Sequence, residues 1–241
     1  MSFNVMWDML LRNWPLFLRG AGITIWISII GTVIGFVIGL LVGLVRTIPV
    51  PKEGGKRTLL KVVNRLLAMY IGFFRGTPMM VQAMVIYFGT AGLFGVQINR
   101  IFAAIFIVSI NTGAYMAEIV RGGINSVDPG QFEAAHAIGM NHVTTMREII
   151  LPQVIRNILP ATGNEFVVNI KDTSMLSVIG VAELFFQTNS IAGSSFKFAE
   201  AFFITSVIYL VMTMTVTAIL RSIEGRLEGS KTYSMSEENI G

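Results

Sequence analysis

The chain has 241 residues, 53% hydrophobic and only 13% charged, with 18 basic residues, 14 acidic residues and no cysteine. Soluble domains carry about a quarter charged residues, so a mean hydropathy of +0.68 excludes an ordinary soluble fold and places the chain in a membrane. The lack of cysteine excludes disulfides and thiolate metal sites. The net charge of +4 does not argue for nucleic acid, because the basic residues fall where the positive-inside rule puts them.

Residues 3–19 set Phe3, Trp7, Leu10, Leu11, Trp14, Phe17 and Leu18 among Asp8, Arg12 and Arg19. Over the segment 1–19 this spacing predicts an amphipathic helix in the membrane interface, or else the start of the first span. No secretory signal peptide is read here, since the segment is polar-interrupted and precedes a full-length apolar stretch. Residues 20–45 are uncharged, long enough to cross the ~30 Å hydrocarbon core. Glycines at 31, 35, 39 and 43 make one small-residue stripe suited to close helix packing.

Residues 46–65 hold Arg46, Lys52, Lys56, Arg57, Lys61 and Arg65 with Pro49, Pro51 and a glycine pair, which predicts a cytoplasmic loop. Gly55-Lys56-Arg57 lacks the upstream glycine and the following Ser or Thr of a phosphate-binding loop. A second span, 66–94, is broken by Arg75-Gly76-Thr77-Pro78, where Pro78 disrupts the helix and a charge sits at membrane depth. A third, 101–120, places Asn111, Tyr115 and Glu118 on one face. A fourth, 157–181, carries Asn164, Glu165, Asn169, Lys171 and Asp172. A fifth, 200–221, is uncharged from Ala201 to Leu220, and 228–241 is a polar tail without readable structure.

With loop 46–65 inside, twelve basic residues fall on the inner segments and four on the outer ones (Arg12, Arg19, Arg100 and Lys197). The expectation is an all-α membrane protein of about five transmembrane helices, N-terminus outside and C-terminus cytoplasmic. Glu165 and Asp172 are seven residues apart, hence on one face about 10 Å from each other. Arg75 is expected at a similar depth. Intramembrane ionisable groups mark function by default, with internal pairing as the competing use and the favoured one for Lys171 and Asp172.

The cytoplasmic segment 121–156 contains its own punctuation. Asp128 suits an N-cap, Pro129 the first helical position, and Gln131 completes a capping-box pattern. Gly139 ends that helix, and Asn141 starts a second short one expected to stop before Pro152. His136 and His142 are six apart without a third ligand and read as solvated, so no metal site is expected.

Glu133, Ala134, Ala135, Gly139, Ile149, Leu151 and Pro152 keep every spacing of the EAA motif, and here the chain resembles ABC importer permeases. Three further blocks narrow the resemblance to permeases for polar amino acids such as glutamine, arginine, histidine and glutamate. They are Arg75-Gly76-Thr77-Pro78, the run from Asn111 through Tyr115 and Glu118 to Gly122, and Lys171-Asp172-Thr173-Ser174. The similarity extends over about residues 20–227. It implies a type I ABC importer permease domain whose EAA loop is a coupling helix seated in a cytoplasmic ABC ATPase dimer. It also implies a second permease subunit, the same chain or a similar one, and an extracytoplasmic amino-acid-binding protein. ATP and Mg would belong to the ATPase, with no cofactor on this chain, which has no Walker A sequence.

The resemblance places Asn111 or Tyr115, together with Glu165, on the substrate path; Arg75 and Asp172 are added as ionisable groups at membrane depth, and Thr77 through the broken backbone expected to line a cavity. A carboxylate at Glu165 favours arginine, lysine or an uncharged polar amino acid, and would repel glutamate unless Arg75 compensates. An ATP-independent channel or secondary transporter would call for inverted repeats, which the five spans do not display. An intramembrane enzyme would need a nucleophile–base or metal constellation, and the spans hold no His or Cys. The expected location is the bacterial cytoplasmic membrane, crossed several times.

Overall fold

The computed structural model describes residues 2–227, so the expected polar tail 228–241 lies outside the described residues. The regular structure is helical: α1 (Phe3–Arg46), α2 (Gly55–Gly76), α3 (Met79–Phe94), α4 (Arg100–Asn125), α5 (Pro129–Ala137), α6 (His142–Thr145), α7 (Leu151–Asp172), α8 (Leu184–Ser195) and α9 (Phe198–Leu227). A π turn, Met146–Ile150, joins α6 to α7, and a 3₁₀ stretch, Thr173–Ile179, extends α7. Among the described residues α1, α4 and α9 are each long and apolar enough to cross a membrane. The count rises to five if the α2–α3 pair, bent by 111°, and the His142–Ile179 segment with α8, bent by 55°, are each one span.

The glycine stripe sets the central contact. Gly31 and Gly35 face Val108 and Thr112 of α4, and Gly39 and Gly43 face Met116 and Val120. Both series advance by four residues in the same direction, so α1 and α4 lie parallel with the i±4 ridge of α4 in a groove that has no side chains. The fit leaves no room for a methyl group. A Cβ at Gly35 would lie 2.7 Å from the Thr112 Cβ, and one at Gly43 2.7 Å from a Val120 methyl.

Parallel packing means that the chain must return across the layer between α1 and α4, and α2 with α3 makes that return. α7 runs the other way, since Ile158 meets Gly123 near the end of α4 while Asn169 meets Thr112 farther back. α9 is antiparallel to α7, with Leu220 and Glu224 against Gly163. The loop after α1, the α5–α6 segment and the end of α9 therefore share one side.

Residues 3–19 are continuous with the first span, not a separate helix. Gly20 lets α8 approach so closely that a Cβ would lie 2.8 Å from the Leu184 Cα, and helix α1 passes through this contact unbroken. Met9 and Phe17 are buried with Leu184, Ile191, Ala201 and Ile204 of α8 and α9, while Trp7 and Trp14 point outward. Helix α8 itself was not foreseen, because twelve residues are too few to register as a span.

Replacing Gly39 by alanine is expected to lower stability by about 1–3 kcal/mol through overpacking against Met116. Gly22→Ala, where a Cβ meets nothing within 4 Å, should be neutral or slightly stabilising through helix propensity. Thermal unfolding midpoints of the two variants in detergent check the contrast.

Candidate functional site

Pro78 breaks the second span because it has no N–H for the carbonyl four residues back, that of Phe74. In hydrocarbon an unpaired carbonyl costs several kcal/mol, and two buried amide side chains cover it. Gln82 Nε2 donates to Phe74 O at 3.0 Å and to Thr77 O and Oγ1 at 2.9 Å each. Asn111 Nδ2 donates to Phe74 O at 3.2 Å and to Gln82 Oε1 at 2.9 Å. Thr77 Oγ1 donates to Phe73 O at 2.8 Å. Tyr70 ties α2 to α4 one turn earlier, its hydroxyl donating to Ile110 O at 2.6 Å.

The break sets Arg75 at an exposed position, its guanidinium carbon 5.3 Å from the centroid of the Tyr115 ring. Glu165, half-buried on α7, feels the charges of Asp172 and Arg75. Arg75, Tyr115, Glu165 and Asp172 thus gather on one polar region formed by α2, α4 and α7. Asn111 faces the same region, but both its amide hydrogens are committed to the break. No ion pair in direct contact joins Lys171 to Asp172 among the described residues, although the Asp172 carboxylate feels the Lys171 charge. Consecutive helical residues point about 100° apart, and Lys171 instead lines a cavity with Thr213, Thr217 and Arg221.

Behind this region a buried ladder locks three helices: Thr112 Oγ1 donates to Asn169 Oδ1 at 3.1 Å, and Asn169 Nδ2 to Thr32 Oγ1 at 2.8 Å. Glu118, which shares a helix face with Asn111 and Tyr115 in the sequence, has a different use. Its carboxylate is held by Arg46 of α1 and by Arg121 of its own helix, the latter at 2.7 Å. That triad closes the end of the α1–α4 seam nearest the α5–α6 segment.

The EAA segment forms an exposed platform. Asp128 Oδ1 accepts from Gly130 N at 2.8 Å and so caps α5, while Gln131 supplies no side-chain capping bond. Gly139 ends the helix at φ +82°, with Met140 N bonded to Ala135 O and Gly139 N to His136 O, both at 3.0 Å. These are the two bonds of a Schellman motif, and the left-handed backbone favours glycine. Asn141 caps α6 through Thr144 N at 3.0 Å.

Pro152 does not stop the second helix. Leu151 N bonds to Met146 O, five residues back, and this wide turn carries the chain straight into α7, where Pro152 occupies the first turn. Ala135 is buried, Phe132 and Ile149 pack on the cluster of Val120, Ile124, Met146, Ile150 and Val154, and Leu151 is half-buried. Glu133, Ala134 and Pro152 stay exposed. So do Ile138 (76%) and Val143 (73%), two large apolar residues that the sequence pattern did not flag and that suit a protein partner better than water. No group of three or more His, Cys, Asp or Glu among the described residues could hold a metal ion.

Polar groups gathered along a broken span, beside an exposed loop that runs into one of the lining helices, are the construction of a membrane-spanning transport subunit. The chain belongs to the family of binding-protein-dependent transport system inner membrane components, whose model matches residues 54–229. It is 40% identical to the glutamine transport system permease protein GlnP of Escherichia coli (strain K12) over 223 residues, 92% of this chain and 97% of that protein. It is 36% identical to the arginine transport system permease protein ArtQ of Bacillus subtilis (strain 168) over 161 residues, 67% of this chain and 74% of that one. A crystal structure of an amino acid ABC transporter with histidines superposes with a TM-score of 0.81 at 38% identity, covering 94% of this chain and 99% of the other. The chain is the permease subunit of an amino acid ABC transporter with the type I importer fold, a multi-pass protein of the cytoplasmic membrane and not itself an enzyme.

Replacing Glu118 by alanine leaves Arg46 and Arg121 facing each other without their shared carboxylate. The expected loss is about 1–2 kcal/mol, read as a lower unfolding midpoint in detergent that high salt partly restores.

Proposed function

We propose that this chain forms the substrate path of an ATP-driven importer for a polar amino acid of the glutamine or arginine type, working by alternating access. Two permease subunits would pair, with a cytoplasmic ATPase dimer on one side and an amino-acid-binding protein on the other. ATP and Mg would be held by the ATPase. The N-terminus would lie outside and the C-terminus inside, in keeping with the charge asymmetry and with the shared side of the α5–α6 segment and the end of α9.

The observation that carries this reading is the covalent continuity between the exposed loop and α7. Glu133, Ala134, Gly139, Ile138 and Val143 present a surface for the ATPase. Ala135, Phe132 and Ile149 anchor that surface to the ends of α4 and α7. The π turn then joins α6 to the helix that bears Glu165 and Asp172. A displacement of the loop is thereby delivered along one rod to Glu165, about 20 Å from the start of α7, and to Asp172, about 30 Å from it, at 1.5 Å per residue.

On the path itself, Glu165 would meet a substrate ammonium or a cationic side chain, and Arg75 over Tyr115 a carboxylate. Thr77 and Asn111 would support the opening in the second span, and Asp172 would add negative charge on the α7 face. The names of the relatives support glutamine and arginine as the first substrates to try.

Uptake of labelled glutamine and arginine into proteoliposomes holding the chain with its ATPase and binding protein tests the reading. Uptake should require ATP, and Glu133→Lys should lower it more than about tenfold, as expected for charge reversal at an interface hot spot. Glu165→Gln should lower arginine uptake relative to glutamine by about tenfold, the worth of one charge-assisted hydrogen bond. Unchanged uptake and selectivity in that variant would remove Glu165 from the path, and uptake without ATP would favour a channel or secondary transporter.

A further inference from the structure

Gln82 lies on α3, is 2% exposed, and carries no role in the reading above. Its amide nitrogen reaches three acceptors that flank Arg75-Gly76: Phe74 O on one side, Thr77 O and Thr77 Oγ1 on the other. Its amide oxygen accepts from Asn111, whose second amide hydrogen returns to Phe74 O. Two side chains from two helices thus grip the backbone on both sides of the arginine.

Arg75 has no comparable hold of its own. No hydrogen bond to a described residue fixes its guanidinium, which rests over the Tyr115 ring. Tyr115 stands one turn along α4 from Asn111, so the distance between cation and ring is set by the Asn111–Gln82–Phe74 connection. We infer that Gln82 is a positioning residue for substrate recognition, acting through Asn111 and the carbonyls of Phe74 and Thr77 to aim Arg75 into the substrate path. The inference rests on Arg75 lining that path.

A residue that only fills the gap left by Pro78 would affect how much protein folds and not how tightly the folded protein holds its substrate. Binding measured on the folded complex separates the two roles. Glutamine and arginine are titrated calorimetrically into the purified permease–ATPase complex without the binding protein, with unfolding midpoints measured in parallel. Gln82→Met keeps the volume and removes the amide. It should weaken binding of the tighter probe by about tenfold, a typical cost of unpairing buried polar groups, and should change the ratio of the two affinities. Arg75→Ala should do the same.

The double variant should bind no more weakly than Arg75→Ala alone, because a residue acting through Arg75 has nothing left to position. Affinities unchanged in Gln82→Met, or losses that multiply in the double variant, overturn the inference while leaving the path intact. If Gln82→Met fails to insert, Thr77→Val, which deletes one acceptor of the Gln82 amide, should give a smaller shift in the same direction, and no shift overturns the inference. If Arg75→Ala binds both probes like the wild type, or the wild type binds neither, the assignment of Arg75 to the path fails and the role of Gln82 falls with it.

Discussion

The seam between α1 and α4 is the constraint on which the rest of the structure depends. Lipid supplies no hydrophobic drive for helices to associate, so close approach and dispersion must hold them together. Four glycines allow that approach along about three turns. Because the matched residues advance in the same sense, the two helices are parallel, which obliges the connecting chain to cross back. That crossing is made by α2 and α3, the pair that contains the break. The seam also brings Arg46 to Glu118 and Arg121, closing its end with a charge cluster on the side of the α5–α6 segment.

The break is a second constraint that follows from the first. A straight helix between α1 and α4 would offer no polar group to a solute. Pro78 opens one, and the opening would be untenable in hydrocarbon if Gln82, Asn111 and Thr77 did not satisfy the freed carbonyls. The same side chains that make the opening stable also define its shape. Stability and the shape of the opening are therefore coupled at this place, while the buried Thr32–Asn169–Thr112 ladder holds three helices in register.

Much of this was legible in the sequence because membrane segments are written in long, uniform runs. The uncharged stretch 20–45, the interruption at residues 75–78 and the punctuation at Asp128, Gly139 and Asn141 each reflect a local rule that tertiary packing has no reason to override. What was not legible depends on partners distant in sequence. Gln82 is an ordinary polar residue until Pro78 is seen to strip Phe74 of its donor; a glutamine four residues beyond a helix-breaking proline was the available signal. Glu118 looks like a third member of the Asn111–Tyr115 face until Arg46, 72 residues away, claims it. Pro152 reads as a stop because proline usually ends helices. Only the five-residue turn before it lets the helix proceed. The sequence leaves open whether the start of α1 is an interfacial helix or the beginning of the first span for a similar reason: Trp7 and Trp14 dominate its pattern, while Met9, Phe17 and Gly20, which join it to α8 and α9, carry little signal alone.

The π turn has a geometric effect that reaches far from where it lies. Compared with a plain α-helix of the same path, one wide turn inserts a single extra residue, which rotates everything after it by about 100° about the helix axis. The azimuth of Glu165 relative to the anchored loop is thus fixed fifteen or more residues upstream, by a local irregularity among Met146–Ile150. Tightening that turn into regular helix would swing the carboxylates of α7 off their face without moving the axis of the helix. The segment is therefore a phase setter, and residues with no contact to any solute determine which side of a transmembrane helix is charged.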